Sequence, residues 1–561
     1  MRATETCSYS NNEMSDNRRT LENYERDPKR SDIHSGARAK AGPMVSVLIP
    51  TFNRPRYLSQ ALASVLHQSY KNLQIIIVND GGEDVSDIVH CCDDPRLTYI
   101  YRKENRGKAY SLNEGLTRSE GKYIAYLDDD DLYYPNHIET LVHTLENETD
   151  SQVAYSDLYK VYCNLMPDGS RQVLSKVVEI SRDFDRFFML YFNHVLHVCL
   201  MHRRDLIEKT GPYNEKLKIL IDWDMTRRLV FFSDFQHIHQ ITGEFYSPAG
   251  ECDRMSVQQR KDKSEYLRNL LTIRTTRPAR PWSEIEDMSI IFVADRLNQQ
   301  AGKTVGSIWR HTFYPYQIYL PLPEADFKRL STDMPNVVLV SVDPMCSGTE
   351  RVDAALARCD GMYVVIVPSG MPIEEMWIED PLYALINSPV GREGFELQGS
   401  RDTLFAAVVR KDDLQYARKN FPNLSVPQSL KAAGITLRQP SFEELPFQFD
   451  HLLKHALLSE KDGNWEEAAQ EYEHIAALHQ NELWMKTLAA KAFFKAGNQT
   501  RAAKLSNEVN QQRPTIDTLL LEAKAERKKD SVHGAIELLK KAEQILIGQT
   551  DCLVPAETNR W

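Results

Sequence analysis

Four consecutive aspartates, Asp128 to Asp131, close the stretch Gly121 to Pro135, which reads GKYIAYLDDDDLYYP. Lys122 to Leu127 is a short apolar and aromatic run with the pattern of a buried strand. A packed strand that ends in four carboxylates needs a reason, because like charges crowded into one turn repel and persist only when solvated, partly protonated or bound to a cation. Hard divalent cations such as Mg²⁺ and Mn²⁺ take oxygen ligands and are commonly held by one or two carboxylates plus substrate phosphates. The expected chemistry is therefore a metal and diphosphate site at the carboxyl end of a sheet strand, where open α/β sheets place ligands. The plain alternative is an acidic, solvated turn.

A second pair of carboxylates, Asp222 and Asp224, flanks Trp223 in KILIDWDMTRRLV, with Met225, Leu229 and Phe232 following at helical spacing. Taken alone, the pair reads as helix-start residues favoured by the macrodipole. His194, His197 and His202 lie in NHVLHVCLMHRRDL at spacings that match no compact metal motif. Along the strand-like segment expected there, alternation puts His194 off the face of His197, which makes structural roles the first expectation. His197 is kept as a candidate lining of the site. Arg106 and Lys108 read as solvated charges that could reach a phosphate or a base, and Asp131 as the cap of a following helix.

The elements that must position these groups begin at Val45. VSVLIP reads as a buried strand, TFNRP as a turn, and Tyr57, Leu58, Ala61, Leu62, Val65 and Leu66 recur at helical spacing. LQIIIV at Leu73 and LTYIYR at Leu97 read as two further strands, the first running into the turn Asn79-Asp80-Gly81-Gly82. Strands alternating with helices imply parallel pairing through right-handed crossovers.

The motifs VSVLIPTFNRPRYLSQALASVLHQSY, IIIVNDGGED, ENRGKAYSLNEGLTRSEGKYIAYLDDDD, HVCLMHRRDLIEKTG and IDWDMTRRL together resemble an inverting glycosyltransferase of family 2 with the GT-A fold, over about residues 44 to 250. The resemblance implies a mostly parallel, Rossmann-like α/β sheet. It implies a nucleobase edge at Pro50, Thr51, Phe52 and Asn53, and a base or ribose contact at Asp80, where the usual Asp-Asp is here Asn79-Asp80. The family's Asp-x-Asp falls on Asp128 and Asp130. Asp130, with Asp128, is the expected ligand of Mn²⁺ or Mg²⁺, while Asp128 or Asp129 faces the sugar and ribose. Asp222 matches the catalytic base. A nucleoside-diphosphate sugar, with a UDP-sugar expected first, would be the donor, and a glycan, lipid-linked or protein hydroxyl the acceptor.

Beyond this segment the plan recurs. VDAALARCDGMYVVIVPSGM at Val352 aligns with LNEGLTRSEGKYIAYLDDDD at Leu112, so that Gly361 matches Gly121 and the positions of Asp128, Asp129 and Asp130 hold Pro368, Ser369 and Gly370. TLFAAVVRKDDL at Thr403 echoes HVCLMHRRDL. A second, degenerate GT-A-like domain is expected. From about Phe447 three segments recur, with Gly463 and Gly497 separated by 34 residues and small alanines at Ala468, Ala502 and Ala535. That period resembles tetratricopeptide repeats, a fold that can bind a protein partner.

The expected domains are a disordered tail at 1–43, a catalytic domain at 44–253, a basic linker at 254–284, the degenerate domain at 285–445, helical repeats at 446–549 and a tail at 550–561. A formal charge of −11 over 561 residues argues against general nucleic-acid binding. The nine cysteines form no CxxC pair, which suits reduced thiols. No apolar run is long enough to span a bilayer, and the expected place is the cytoplasm or the inner face of the membrane. Two other functions fit parts of the pattern. A sugar-nucleotide nucleotidyltransferase would share the sheet but needs a glycine-rich basic loop that TFNRPRY lacks, and a non-catalytic scaffold would not need Asp80, Asp130 and Asp222.

Overall fold

The computed structural model describes residues 42–178, 181–248, 263–327, 335–389, 391–397, 405–478, 483–529 and 531–548. The expected tails before residue 42 and from residue 550, and residues 254–262 of the expected linker, lie outside the described residues.

The first sheet contains β1 (Val45–Thr51), β2 (Leu73–Asn79), β3 (Leu97–Tyr101), β4 (Tyr123–Tyr126), β5 (Leu132–Tyr133), β6 (Val153–Leu165), β7 (Arg171–Val177), β8 (Leu200–Arg203) and β9 (Phe235–Pro248). Their order is β3-β2-β1-β4-β8-β6-β9-β5, with β7 paired to β6. β3, β2, β1 and β4 run parallel. Helices at Pro55–Leu66 and Lys108–Arg118 lie in the connections between them. β1 and β2 are buried almost throughout, which is why they read as continuous apolar runs rather than alternating ones. Past β4 the sheet becomes mixed. β8 is antiparallel to both β4 and β6, and β9 returns parallel to β6.

The second sheet contains β10 (Met288–Val293), β11 (Tyr316–Leu322), β12 (Val337–Ser341), β13 (Tyr363–Pro368), β14 (Glu393–Glu396), β15 (Ala407–Arg410) and β16 (Thr436–Arg438), in the order β12-β11-β10-β13-β15-β14-β16. Strand for strand this is the order and direction of β3-β2-β1-β4-β8-β6-β9. The registers agree as well. Val45 faces Tyr123 as Met288 faces Tyr363, and Tyr123 faces Arg203 as Tyr363 faces Arg410. Gly121 N–H donates to Ser46 Oγ at 2.9 Å, and Gly361 N–H donates to Ser289 Oγ at 3.1 Å.

Residues 448–548 form helices Gln448–Lys461, Trp465–Leu478, Leu483–Lys495, Gln499–Gln512, Ile516–Lys528 and Val532–Gly548. Gly463 and Gly497 sit in turns with φ of +83° and +90°, where a side chain would be strained, and Ala468, Ala502 and Ala535 are buried between helices. Among the described residues no helix is long and apolar enough to cross a membrane.

The basic segment between the sheets is not a solvated connection. Over Lys263–Thr275 it is helical, and buried Arg274 donates to Arg310 O at 2.7 Å. Arg277 and Arg280 both pair with Asp287, and Trp282 packs edge-on to Phe231 at 4.7 Å. Burying such side chains costs free energy unless they are paired, and backbone carbonyls and Asp287 supply the partners.

Candidate active site

Because β1 and β4 are parallel neighbours, their carboxyl ends emerge together. Thr51, the last residue of β1, donates from Oγ1 to Asp129 Oδ2 at 2.8 Å, and Phe52 N–H approaches the same oxygen at 3.4 Å. Arg54 Nη1 bridges Asp129 Oδ1 at 3.3 Å and Asp130 Oδ2 at 2.9 Å. Lys108, at the start of the helix after β3, pairs with Asp128 at 2.6 Å. Arg171 on β7, stacked between Tyr57 and Tyr246 at 4.0 Å from each ring, donates to Asp130 O at 2.8 Å.

The four carboxylates are therefore not equivalent. Asp129 is buried, and burial first, then the neighbouring Asp130, pushes its pKa up to about 7. Asp131 accepts from Tyr246 N–H at 2.9 Å. It caps no helix, because the next helix begins at His137 after Asn136. Asp128, Asp130 and Asp131 each offer an oxygen within 4.8 Å of the others. An all-carboxylate donor set of this kind fits a hard divalent cation.

Asp80 ends up beside this rim but is engaged by backbone. Arg106 N–H and Gly107 N–H donate to its two oxygens at 2.9 and 2.7 Å, and Arg102 lies 3.4 Å away. Asn53, in the left-handed region at φ +54°, accepts from Glu83 N–H at 2.8 Å, so the turn after β1 is tied to the turn after β2. Phe52 is 42% exposed at the rim rather than packed in the core. Pro50 is half-buried within β1.

Asp222 occupies the first turn of the helix Ile221–Leu229 and is half-buried. Leu220 before it takes φ +60°, a strained conformation for a leucine that turns the chain into the helix. Trp223 is buried with its indole N–H on Met189 O at 3.0 Å. Asp224 forms a buried ion pair with Arg228 at 2.7 Å. Buried Arg227 reaches Thr276 O and Phe313 O at 2.9 Å each, so the second unit anchors this helix from behind.

Lys108 is paired with Asp128 and also feels the charge of Asp222. Burial of its ammonium opposes the charge, but Asp128, then Asp222 and Asp130, outweigh it and raise its pKa. The expectation of a solvated lysine fails because the side chain folds inward toward three carboxylates. Arg106 instead lies exposed over the Tyr110 ring at 3.5 Å.

The three histidines also depart from the strand expectation. His197–Cys199 is a single 3₁₀ turn and only Leu200–Arg203 is strand, so alternation does not relate His194 to His197. His197 stacks on Tyr126 at 4.7 Å, and burial pulls its pKa down to about 4 against the pull of Asp222. His202 is structural, held between Tyr126 Oη and Arg203 O at 2.7 Å each. His194 lines a cavity of about 110 Å³ with Tyr155, Asp157, Arg182, Asn193 and Cys199. From that lining, Asn193 Nδ2 reaches Asp222 Oδ2 at 3.4 Å.

Sequence reasoning passed over Arg54 and Arg171 and kept Lys108 only as a solvated charge, although these three cations balance the aspartates. The signal present was the basic TFNRPRY beside an acidic partner strand. In the second unit the matching corner is neutral. Ser369 N–H donates to Val293 O at 2.8 Å and Gly370 N–H to Thr304 Oγ1 at 3.2 Å, with the Gln300 side chain against Gly370.

Residues 46–209 match the family model described as glycosyl transferase family 2. An uncharacterized glycosyltransferase of Rickettsia prowazekii is 32% identical over 209 residues, 36% of this chain and 62% of that protein. One from Rickettsia typhi is 32% identical over 207 residues, with the same coverage of 36% and 62%. The putative colanic acid biosynthesis glycosyl transferase WcaA of Escherichia coli is 36% identical over 106 residues, 18% of this chain and 38% of that protein. The chain thus spans less than two thirds of the length of each of these relatives. A crystal structure of S. aureus TarS in complex with UDP-GlcNAc is 19% identical, covers 42% of this chain and 67% of that one, and superposes with a TM-score of 0.34. The segment that carries the four aspartates, residues 46–209, is thus the part of the chain that matches glycosyl transferase family 2.

Proposed function

We propose that the chain is an inverting, metal-assisted glycosyltransferase that moves a sugar from a nucleoside-diphosphate sugar to the hydroxyl of a surface-glycan precursor or a protein. The observation that carries this reading is the acidic rim Asp128–Asp131 with the Lys108 ammonium paired to Asp128, while the charge of Asp222 also acts on that ammonium. A divalent ion, Mn²⁺ or Mg²⁺, held by Asp130 with Asp128, would supply Lewis-acid neutralisation of the departing diphosphate. Lys108 and Arg54 are the cations beside that rim and would hold the phosphate oxygens in position. The rim at Pro50, Thr51, Phe52 and Asn53, with Asp80 and Asp129, would take the base and ribose, with a UDP-sugar as the first donor to test.

Asp222 acts as general base. It takes the proton of the acceptor hydroxyl while that oxygen bonds the anomeric carbon from the face opposite the leaving group, and the broken carbon–oxygen pair leaves with the diphosphate. Asn193 orients Asp222, and the cavity behind it is the approach for the acceptor. His197 stays neutral at physiological pH and walls the site without adding charge. The helix hairpins at 448–548 are read as tetratricopeptide-like and as a surface for a protein partner. The place of action proposed is the cytoplasm, with the inner face of the membrane as the alternative.

The test is a thermal-shift screen of UDP-, GDP- and dTDP-sugars with Mn²⁺, followed by an assay of slow donor hydrolysis, with Asp130→Asn as control. One nucleotide class should raise the melting temperature in wild type and fail to do so in Asp130→Asn. An unchanged melting temperature with every donor, or a variant that responds like wild type, removes the enzyme reading.

A further inference from the structure

In the first sheet, β9 carries His237-Ile238-His239, and the two imidazoles converge on one carboxylate oxygen. His237 Nδ1 lies 2.9 Å from Asp183 Oδ1, and His239 Nε2 lies 2.9 Å from the same atom. The ring centroids are 4.2 Å apart. The two nitrogen–oxygen edges, at 2.9 Å each, are a few tenths of an ångström shorter than the roughly 3.3 Å that zinc bonds of about 2.0–2.1 Å set between tetrahedral ligand atoms.

The remaining contacts complete the pattern of a ligated histidine. His237 stacks on Tyr155 at 4.6 Å and 4°, which fixes the ring plane. Its other nitrogen, Nε2, lies 3.0 Å from Asp157 Oδ1. A carboxylate on the distal nitrogen is the usual device for fixing the tautomer and orientation of a metal-bound imidazole. Asp157 is held there by Arg513, from the helical region, and by Ser181 Oγ at 3.0 Å. Asp157, His237 and His239 also offer atoms within 4.8 Å of one another. The engagement of Asp157 by Arg513 and Ser181 places it behind the histidine rather than in the coordination shell. On the open side, the side chains of His239 and Asp183 are 36% and 42% exposed, so an ion and a water have access.

We propose that His237 Nδ1, His239 Nε2 and Asp183 Oδ1 form a binding site for a borderline-soft divalent ion, Zn²⁺ first, with Asp157 as the positioning carboxylate. Two imidazoles with one carboxylate suit zinc and its transition-metal neighbours, whereas the all-oxygen group at Asp128–Asp131 suits magnesium or manganese. The site joins β9 and the segment after β7 next to the contact of Arg513 with Asp157, so a bound ion would stiffen the seat of the helical region. It requires no nucleotide, and through Tyr155 and Asp157 it borders the cavity that Asn193 shares with Asp222.

The experiment is a Zn²⁺ titration of the full chain, stripped with chelator, against a chromogenic chelator, together with melting temperatures. Wild type and Asp130→Asn should each bind one high-affinity equivalent and gain the same thermal shift. His239→Ala and Asp183→Asn, both at exposed positions, should bind at least ten-fold more weakly and lose the shift. Asp157→Asn should weaken binding by about 10–100-fold while keeping the stoichiometry. Wild-type protein that takes up no Zn²⁺ overturns the proposal, as does a His239→Ala or Asp183→Asn protein with wild-type affinity. Loss of the equivalent in Asp130→Asn would assign the ion to the aspartate rim and overturn it too.

Discussion

The two sheet units share strand order, strand direction and register, yet at the carboxyl ends of their matching strands one holds four aspartates and the other Pro368, Ser369 and Gly370. In the neutral corner Ser369 N–H and Gly370 N–H are satisfied by Val293 O and Thr304 Oγ1. The acidic corner needs Arg54, Lys108 and Arg171 drawn in from three elements, and still leaves Asp129 with a pKa pushed up to about 7. The frame therefore stands without carboxylates, and their repulsion in the first unit serves something other than folding. The second unit's surviving task is visible in Arg227, which runs from the helix of Asp222 into Phe313 O and fixes that helix from behind.

The largest effect expected from breaking this asymmetry is on turnover. Asp222→Asn should lower kcat by about 10²–10⁴-fold, the usual worth of a general base, while the donor-dependent thermal shift is retained. Ser369→Ala at the equivalent corner of the second unit should leave kcat within a factor of two. Full turnover by Asp222→Asn would remove it as the base, and a large loss in Ser369→Ala would mean that the second unit reacts too.

Much of this asymmetry was legible in the chain. β1 to β4 are short apolar runs bounded by turn residues, and the alignment of Gly361 with Gly121 falls on residues with the same contact to a serine hydroxyl. The match of the segment at Thr403 with that at His197 reappears as Arg410 and Arg203 in the same register. Other features were not legible because their causes are long-range. Long side chains choose partners from the fold, so nothing local told Lys108, half-buried against Asp128, from Arg106, exposed over Tyr110. The 3₁₀ turn at His197 interrupts a segment whose composition is that of a strand. The convergence of His239 with Asp183 spans 56 residues and depends on how β9 lies against the segment after β7.

A smaller effect is the response of stability to pH, to which one of the buried acids in each unit contributes. Burial pushes both Asp129 and Glu379 up to about 7. A folded pKa above the unfolded one gives a stabilising contribution that is complete below about pH 4 and is lost as pH rises through about 7. Asp129→Asn and Glu379→Gln should each match wild type in acid and gain on it toward neutral pH, by at most about 4 and about 3 kcal/mol at 1.36 kcal/mol per pKa unit. Urea denaturation between pH 4 and 8 checks this. Mn²⁺ should reduce the slope assigned to Asp129 and leave that of Glu379. A common response to the ion would mean that the rim is not where the cation acts.

Smaller again is the backbone contact that the units share. A Cβ on Gly121 would sit 2.6 Å from Ser46 N, and on Gly361 2.7 Å from Asp287 O, so neither strand pair can admit it without moving. Gly121→Ala and Gly361→Ala should each destabilise by about 1–3 kcal/mol in denaturant titrations. Only the first should also lower turnover, because the displaced β4 carries the aspartates.

The serines opposite these glycines give the finest comparison. Ser46 Oγ accepts from Gly121 N–H and donates to Gln74 Oε1 at 2.6 Å, and the same Gln74 oxygen accepts from Glu120 N–H at 2.9 Å. Ser289 Oγ accepts from Gly361 N–H, and Gln317, which holds the place of Gln74 in the register, gives its Oε1 to Arg277. A hydrogen bond is worth about 1 kcal/mol net, and a buried donor left unmade costs more than a pair removed together. Ser289→Ala should therefore cost about 1 kcal/mol, and Ser46→Ala about twice that, since it strands Gly121 N–H and frees one side of Gln74. Equal losses would show that the glutamine bridge adds nothing, and that the first unit holds its acidic strand with no more than the second uses for its neutral one.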